Sequence, residues 1–182
     1  KPSVGIVRPV FNQNVSGNLL VNVSVNETES GVSSVYNRME NGSGNLTLWT
    51  SMTEGPTGFW TYTLSTTAFA DGFYNVTINA SDFTGNENSS QKQQFEIDNI
   101  PPFLNIITQL ESQNVSALNL TINGTVAETN KVLNNPQIND TRFSLGSYNS
   151  SSGNFTFFNY SVIQDGTVSV RINFTDDAGN SN

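Results

Sequence analysis

The sequence predicts an all-β chain built as two tandem antiparallel β-sandwiches, on three observations. The first is an internal repeat: residues 71–86 (DGFYNVTINASDFTGN) and 165–180 (DGTVSVRINFTDDAGN) align without a gap and agree at eight of sixteen positions. The second is period-two alternation of apolar and polar residues, which puts one set in a core and the other in solvent. The third is a series of turn signals at strand spacing, with no window that sustains a helical period.

A second stretch of similarity joins residues 16–28 (SGNLLVNVSVNET) to 116–129 (SALNLTINGTVAET) with one inserted residue, and Pro2 matches Pro102. The two copies therefore cover 1–100 and 101–182, with about seven strands each. In residues 21–26 the inward set is Val21, Val23 and Val25; in 75–80 it is Val76, Ile78 and Ala80; in 118–123 it is Leu118, Leu120 and Ile122. Asn41-Gly42, Glu54-Gly55-Pro56, Asp71-Gly72 and Thr84-Gly85-Asn86 mark turns. Trp49, Trp60, Tyr62 and Leu64 read as core or inter-sheet packing, with sugar stacking as the alternative for exposed rings. The first copy continues into a last strand at 93–98, whereas the second stops at Asn182 without one. Either the chain is part of a longer one, or a neighbouring molecule supplies the strand, which would build head-to-tail filaments. The natural donor is the segment 1–10, with Val4, Ile6 and Val10 facing inward, although its own domain also needs it.

Composition excludes several classes of function. The 182 residues contain no His and no Cys, which removes thiolate and imidazole catalysis, soft-metal ligation and disulfides. Seven Lys and Arg against fifteen Asp and Glu give a net charge of −8, so a phosphate-binding footprint is absent. Nucleic acid is not an expected partner. No apolar run approaches a membrane span. Carboxylate pairs such as Asp71 with Glu54 are the available general acid–base groups, and a small sandwich offers them no cleft; no enzyme is expected.

The run from 71 to 102, DGFYNVTINASDFTGNENSSQKQQFEIDNIPP, resembles the final half of the Ig-like repeats of bacterial and archaeal surface proteins. In those, a DG-Y-V-V-A-D-GN strand pair precedes a strand ending in D-N-x-P-P. The first copy follows the pattern almost throughout; the second matches at its ends and is loose between Leu133 and Ser152. The resemblance implies two tandem Ig-like antiparallel β-sandwiches at a cell surface, in a surface layer, an adhesin or an extracellular filament. It implies no single activity.

The strongest chemical signal is the N-glycosylation acceptor pattern Asn-x-Ser/Thr. It occurs at Asn14, Asn22, Asn26, Asn41, Asn45, Asn75, Asn79, Asn88, Asn114, Asn119, Asn123, Asn139, Asn149, Asn154, Asn159 and Asn173, sixteen in all, where random order of its 27 Asn and 41 Ser or Thr would give about six. Alternation of polar strand faces explains part of the excess, since the reversed pattern Ser/Thr-x-Asn occurs nine times. The directional remainder favours real acceptors. Asn and its hydroxyl partner share a strand face, and the residue between (Val23, Leu46, Val76, Leu120, Phe155, Phe174) points to the core. N-linked glycans would then cover the outer sheet faces and blunt the edges. With the resemblance, this density suggests an archaeal cell surface.

Calcium is the other expected ligand. The linker Asp98-Asn99-Ile100-Pro101-Pro102 and the second copy's Glu128, Asp176 and Asp177 fall at one pole of an Ig-like sandwich, and oxygen ligands there suit Ca²⁺. The spacing resembles cadherin-type junctions, and Glu27, Glu29 and Asp82 form the equivalent set in the first copy. The alternative is that Asp176 caps a turn through its own backbone.

The leading expectation is a structural module of a heavily glycosylated extracellular assembly that self-associates. The alternative is an adhesin binding a glycan or a host surface through Trp49, Phe59, Trp60 and Tyr62. Isopeptide cross-linking would have Lys1, Lys92 and Lys131 to draw on.

Overall fold

The computed structural model describes residues 1–108, 120–128, 134–159 and 167–182. Leu118, the acceptors Asn114 and Asn119, and Lys131 lie outside the described residues. The chain is all-β and forms two compact units, Lys1–Asn99 and Ile100–Asn182.

In unit 1, one sheet has the order β1 (Ser3–Arg8), β3 (Asn18–Asn26), β8 (Phe59–Ser65) and β7 (Thr53–Glu54). The other runs β2 (Gln13–Val15), β10 (Glu87–Ile97), β9 (Gly72–Asp82), β4 (Val32–Asn41) and β5 (Gly44–Asn45), with β6 (Thr50–Ser51) also on β4. Pairing is antiparallel except between β2 and β10, where the chain has crossed from one sheet to the other and runs parallel, Phe95 opposite Gln13 and Ile97 opposite Val15. The alternation read from the sequence is realised in β3 and β9. Val21, Val23 and Val25 from one sheet meet Val76, Ile78 and Ala80 from the other, and all six are buried. A fully buried aliphatic side chain of this size contributes about 1.5–3 kcal/mol, so this valine-rich layer carries the unit.

Thr77 departs from the alternation. It faces outward on β9 and is nonetheless only 2% exposed. The cause is a charged bridge laid across three strands: Thr77 Oγ1 donates to Glu40 Oε1 at 2.9 Å, Lys92 Nζ pairs with the same oxygen, and Arg38 lies 3.8 Å from Oε2. The Lys92 ammonium holds the Glu40 carboxyl below its ordinary range, against the opposing effect of burial. Trp49, an expected core residue, is instead 37% exposed and covers the guanidinium of Arg38, 4.4 Å from the ring centre. Trp60 is in the core, and Tyr62 and Leu64 pack against it.

Unit 2 repeats the plan. β11 (Phe103–Ile106), β12 (Thr121–Ala127), β15 (Asn154–Asn159) and β14 (Phe143–Tyr148) form one sheet, in the positions of β1, β3, β8 and β7. β13 (Gln137–Ile138) pairs with β16 (Ile172–Asn173), as β4 pairs with β9. The core is phenylalanine-rich: Phe143, Phe155, Phe157 and Phe174 join Ile122, Val126 and Ile172.

The last residue of unit 1 locks its strand end. Asn99 Oδ1 accepts from Gly17 N and Thr66 Oγ1, its Nδ2 donates to Thr66 O and Phe69 O, and its backbone N–H donates to Asp71 Oδ1. Thr66 is fully buried, so truncation strands polar groups that water cannot reach. Asn99→Ala is expected to cost unit 1 about 2–3 kcal/mol. Both tryptophans lie in unit 1, so a lowered urea midpoint in Trp fluorescence reads the loss, and an unmoved midpoint would count against the lock.

Candidate functional site

The repeat signature that ends in Gly-Asn folds the same way in both units. In unit 1, Asp82 Oδ1 accepts from the backbone N–H of Thr84 and of Asn86, both at 2.9 Å, and Oδ2 accepts from Asn86 Nδ2 at 2.8 Å. In unit 2, Asp176 Oδ1 accepts from Ala178 N at 2.9 Å and Asn180 N at 2.8 Å, and Oδ2 accepts from Asn180 Nδ2 at 2.8 Å. Gly85 and Gly179 sit at φ +85° and +93°, the left-handed turn that glycine adopts without strain. Burial alone would push the Asp82 carboxyl up; the donors from Asn86 and Thr84 outweigh it and hold the group well below its ordinary range. The Asp, Gly and Asn of the repeat are therefore the parts of one capped turn.

This turn bears on the calcium set. Asp176 uses both carboxylate oxygens to close its own loop, and Asn99 uses its side-chain oxygen inside unit 1. Asp98 is buried in unit 1, while Glu128 and Asp177 are half-buried in unit 2. In unit 1, Asp82 likewise closes its own turn, and Glu27 Oε1 accepts from the backbone N–H of Glu29. Among the described residues, no group of three or more acidic side chains gathers to hold a metal ion.

The acceptor asparagines are placed quite differently. Fourteen of the sixteen lie among the described residues, and thirteen of those keep a partly or fully exposed side chain. They fall at several kinds of position. Asn26, Asn41 and Asn45 end their strands, and Asn139 and Asn149 follow theirs directly. Asn22, Asn75, Asn79 and Asn123 stand inside strands paired on both sides. Asn14 lies in edge strand β2, Asn154 opens β15, and Asn173 ends β16. Asn88 donates its Nδ2 to Pro2 O at 3.0 Å. Asn159 differs from the outward-facing expectation: it is 6% exposed, and its Oδ1 accepts the backbone N–H of Leu120. At the end of β15 it is a connector between strand and loop, a role that the local pattern Asn-Tyr-Ser does not reveal.

The aromatic platform is not assembled. Trp60 is buried, Phe59 is exposed, and Trp49 is held against Arg38. The proposed donor segment is already used: β1 pairs with β3 of its own unit, with Val4 buried and Ile6 against the core, while Val10 is exposed. Lys92 is held in its ion pair with Glu40. Among the described residues no helix is long and apolar enough to cross a membrane.

One electrostatic pair carries a pH signature. Arg142 donates to Asp140 through its side chain (Nε at 2.9 Å to Oδ1) and its backbone N–H (3.0 Å), and holds the carboxyl down to about 2. The folded value lies below the ordinary Asp value near 4, so the stabilisation is complete above that and is lost as pH falls through about 2. The urea midpoint of unit 2 should therefore drop between about pH 4 and 2, and Asp140→Asn should flatten that dependence while leaving unit 1 alone.

Residues 11–99 match the family model of the bacterial Ig-like domain. No curated protein matches the chain. Among solved structures, the fibronectin(III)-like modules of Clostridium thermocellum CbhA are 17% identical, with a TM-score of 0.51 over 98% of this chain and 88% of that one. The endo-β-1,4-mannanase of Thermotoga petrophila is 13% identical, with a TM-score of 0.47 over 55% of this chain; only 20% of the mannanase is spanned. The D00-D0 domain of intimin is 12% identical, with a TM-score of 0.38 over 96% of this chain and 91% of that one. The chain thus has an all-β, Ig-like fold in which residues 11–99 carry the match to the bacterial Ig-like domain.

Proposed function

We propose that the chain is a structural module of a heavily N-glycosylated extracellular assembly, such as a surface layer, stalk or filament, and that it has no catalytic role. The observation that carries this reading is the placement of the acceptors: of the fourteen described, Asn159 alone is buried, although the strands that bear them are packed on their other face. A small sandwich with few charges needs another source of solubility, and sugar on its polar surface provides one. The Ig-like fold, used widely for extracellular modules, agrees with this. Head-to-tail self-association belongs to the same proposal.

The test is intact mass of the chain isolated from the cells that make it. A ladder of masses is expected that collapses to a single value on chemical deglycosylation. A single mass that deglycosylation leaves unmoved would overturn the reading. Native mass spectrometry of the same material reads self-association as a series of multiples. An adhesive role would show as a glycan-array signal that Trp49→Ala removes, since Trp49 is the exposed member of the aromatic set beside a cation.

A further inference from the structure

We infer that the fold itself selects which acceptors are modified. Glycan transfer acts on the folded domains, so that Asn26, Asn41, Asn45, Asn139 and Asn149 carry sugar, whereas Asn22, Asn75, Asn79, Asn123 and Asn159 stay bare. The inference rests on the glycosylation reading above.

The chemistry sets the requirement. The amide nitrogen of Asn forms a bond to the anomeric carbon of an oligosaccharide activated on a lipid phosphate or pyrophosphate. The bond from that carbon to the phosphate oxygen breaks, the lipid phosphate leaves with the electron pair, and one amide proton passes to a base. The enzyme must grip the segment holding both the amide and the hydroxyl two residues on. That segment must therefore leave the surface of the domain, and the two groups of sites differ in what this costs.

Asn75 and Asn79 stand in β9, the strand between β4 and β10, with Glu40 and Gln94 opposite Asn75 and Tyr36 opposite Asn79. Lifting either site breaks ladder bonds and draws Val76, Ile78 and Ala80 from the core, an opening close to unfolding the whole sandwich. Asn22 is held likewise between Arg8 and Thr61. Asn123 pairs with Thr156 on one side, and on the other its carbonyl accepts from Ile107 N at 2.8 Å. Among the described residues, the Oδ1 atoms of Asn22 and Asn79 are buried with no hydrogen-bond partner, so these amides are pressed into the sheet surface rather than held out from it. Asn159 is buried outright.

The strand-end sites have less to break, because chain ends and turns open with little loss; Asn139 is the most tied of them, its N–H donating to Arg171 O and its Oδ1 accepting from Arg171 N. Two of them are also folded toward the chemistry. Asn41 Oδ1 accepts the backbone N–H of Ser43, and Asn149 Oδ1 that of Ser151, each at 2.9 Å, which brings the hydroxyl residue of the acceptor pattern back over its amide. Sugar is thereby concentrated at the rims of the sandwiches, beside the turns, and the sheet interiors remain polypeptide.

The experiment is site-resolved glycopeptide mass spectrometry of the chain from its own cells, scored as fractional occupancy. Occupancy at Asn26, Asn41, Asn45, Asn139 and Asn149 should exceed that at Asn22, Asn75, Asn79, Asn123 and Asn159 by at least about tenfold, given the opening each interior site requires. Equal occupancy across the two groups would mean that sugar is attached before folding; that overturns the selection and leaves the glycoprotein reading intact. Bare asparagines throughout would overturn both. A second arm uses Gly153→Ala, which is expected to unfold unit 2: Asn123 and Asn159 should then gain sugar while Asn22 and Asn79 in unit 1 stay bare. No gain at either site would also overturn it.

Discussion

Replacing Gly153 by alanine should unfold unit 2 and leave unit 1 standing. Gly153 has φ +71°, and a Cβ built there would lie 1.9 Å from the carbonyl oxygen of Val126, 3.0 Å from its carbon and 3.4 Å from its nitrogen. All three atoms are backbone, so no side chain can swing away. The two segments are also tied, because Val126 N donates to Gly153 O at 2.9 Å, while Gly153 is fixed in its own turn by its N–H to Asn149 O at 2.8 Å. Relief means separating them by more than an ångström and losing these bonds, on top of about 1–2 kcal/mol for a left-handed non-glycine residue. A total above about 4 kcal/mol follows, against about 4–12 kcal/mol for a unit of this size. Circular dichroism should lose part of its cooperative amplitude while the Trp fluorescence transition, which reports unit 1, stays in place. A wild-type melt by both probes would sink the argument. Unit 1 contains the graded control. Gly58, at φ +78°, lies under the carbonyl of Val25, but at 2.9 Å for the added carbon, so Gly58→Ala should cost about 1–2 kcal/mol.

Phe155→Ala should destabilise unit 2 by about 3–5 kcal/mol, the range for removing a buried aromatic ring. The ring is 2% exposed and is the hub of the second core, with centroids 5.2 Å from Phe174 and 6.0 Å from Phe157. It also lies over Gly124, directly across the ladder from it. A methyl at 124 would come within 2.3 Å of the ring, so removing the ring clears that side for Gly124→Ala. Rescue does not follow, because the same methyl meets the backbone oxygen of Asn105 at 2.7 Å. The double variant is thus expected to be no more stable than Phe155→Ala, measured by the urea midpoint in circular dichroism. Recovery in the double variant would show that the ring alone dictates the glycine.

The two units reach one plan through different cores, and that matters for the proposed architectural role. Unit 1 packs valines from both sheets into a continuous aliphatic layer; unit 2 relies on a few phenylalanines. Removing one valine methyl pair leaves a small void that neighbours partly fill, whereas in unit 2 Phe157 and Phe174 both pack on the single ring of Phe155. Unit 2 should therefore be the more sensitive to single substitutions. In both, the surface carries amide and hydroxyl groups in place of charge.

The chain's two sandwiches, the inward valines and isoleucines, and the Gly-Asn turns were legible in the residues alone. Alternation and repeat are local: each strand states its own buried face, and Asp82 with Asn86, or Asp176 with Asn180, closes its turn within five residues. The acceptor pattern was legible for the same reason, since it spans three residues. Tertiary structure alone decided that Thr77 is covered by Glu40 and Lys92, that Trp49 shields Arg38 outside the core, and that Asn159 is a buried connector. It also revealed that Gly58 and Gly153 each leave room under a valine carbonyl at the matching position of its unit, Val25 and Val126. Each of these depends on partners more than ten residues away, brought together by strand order and register, and no short window of sequence encodes such a distance.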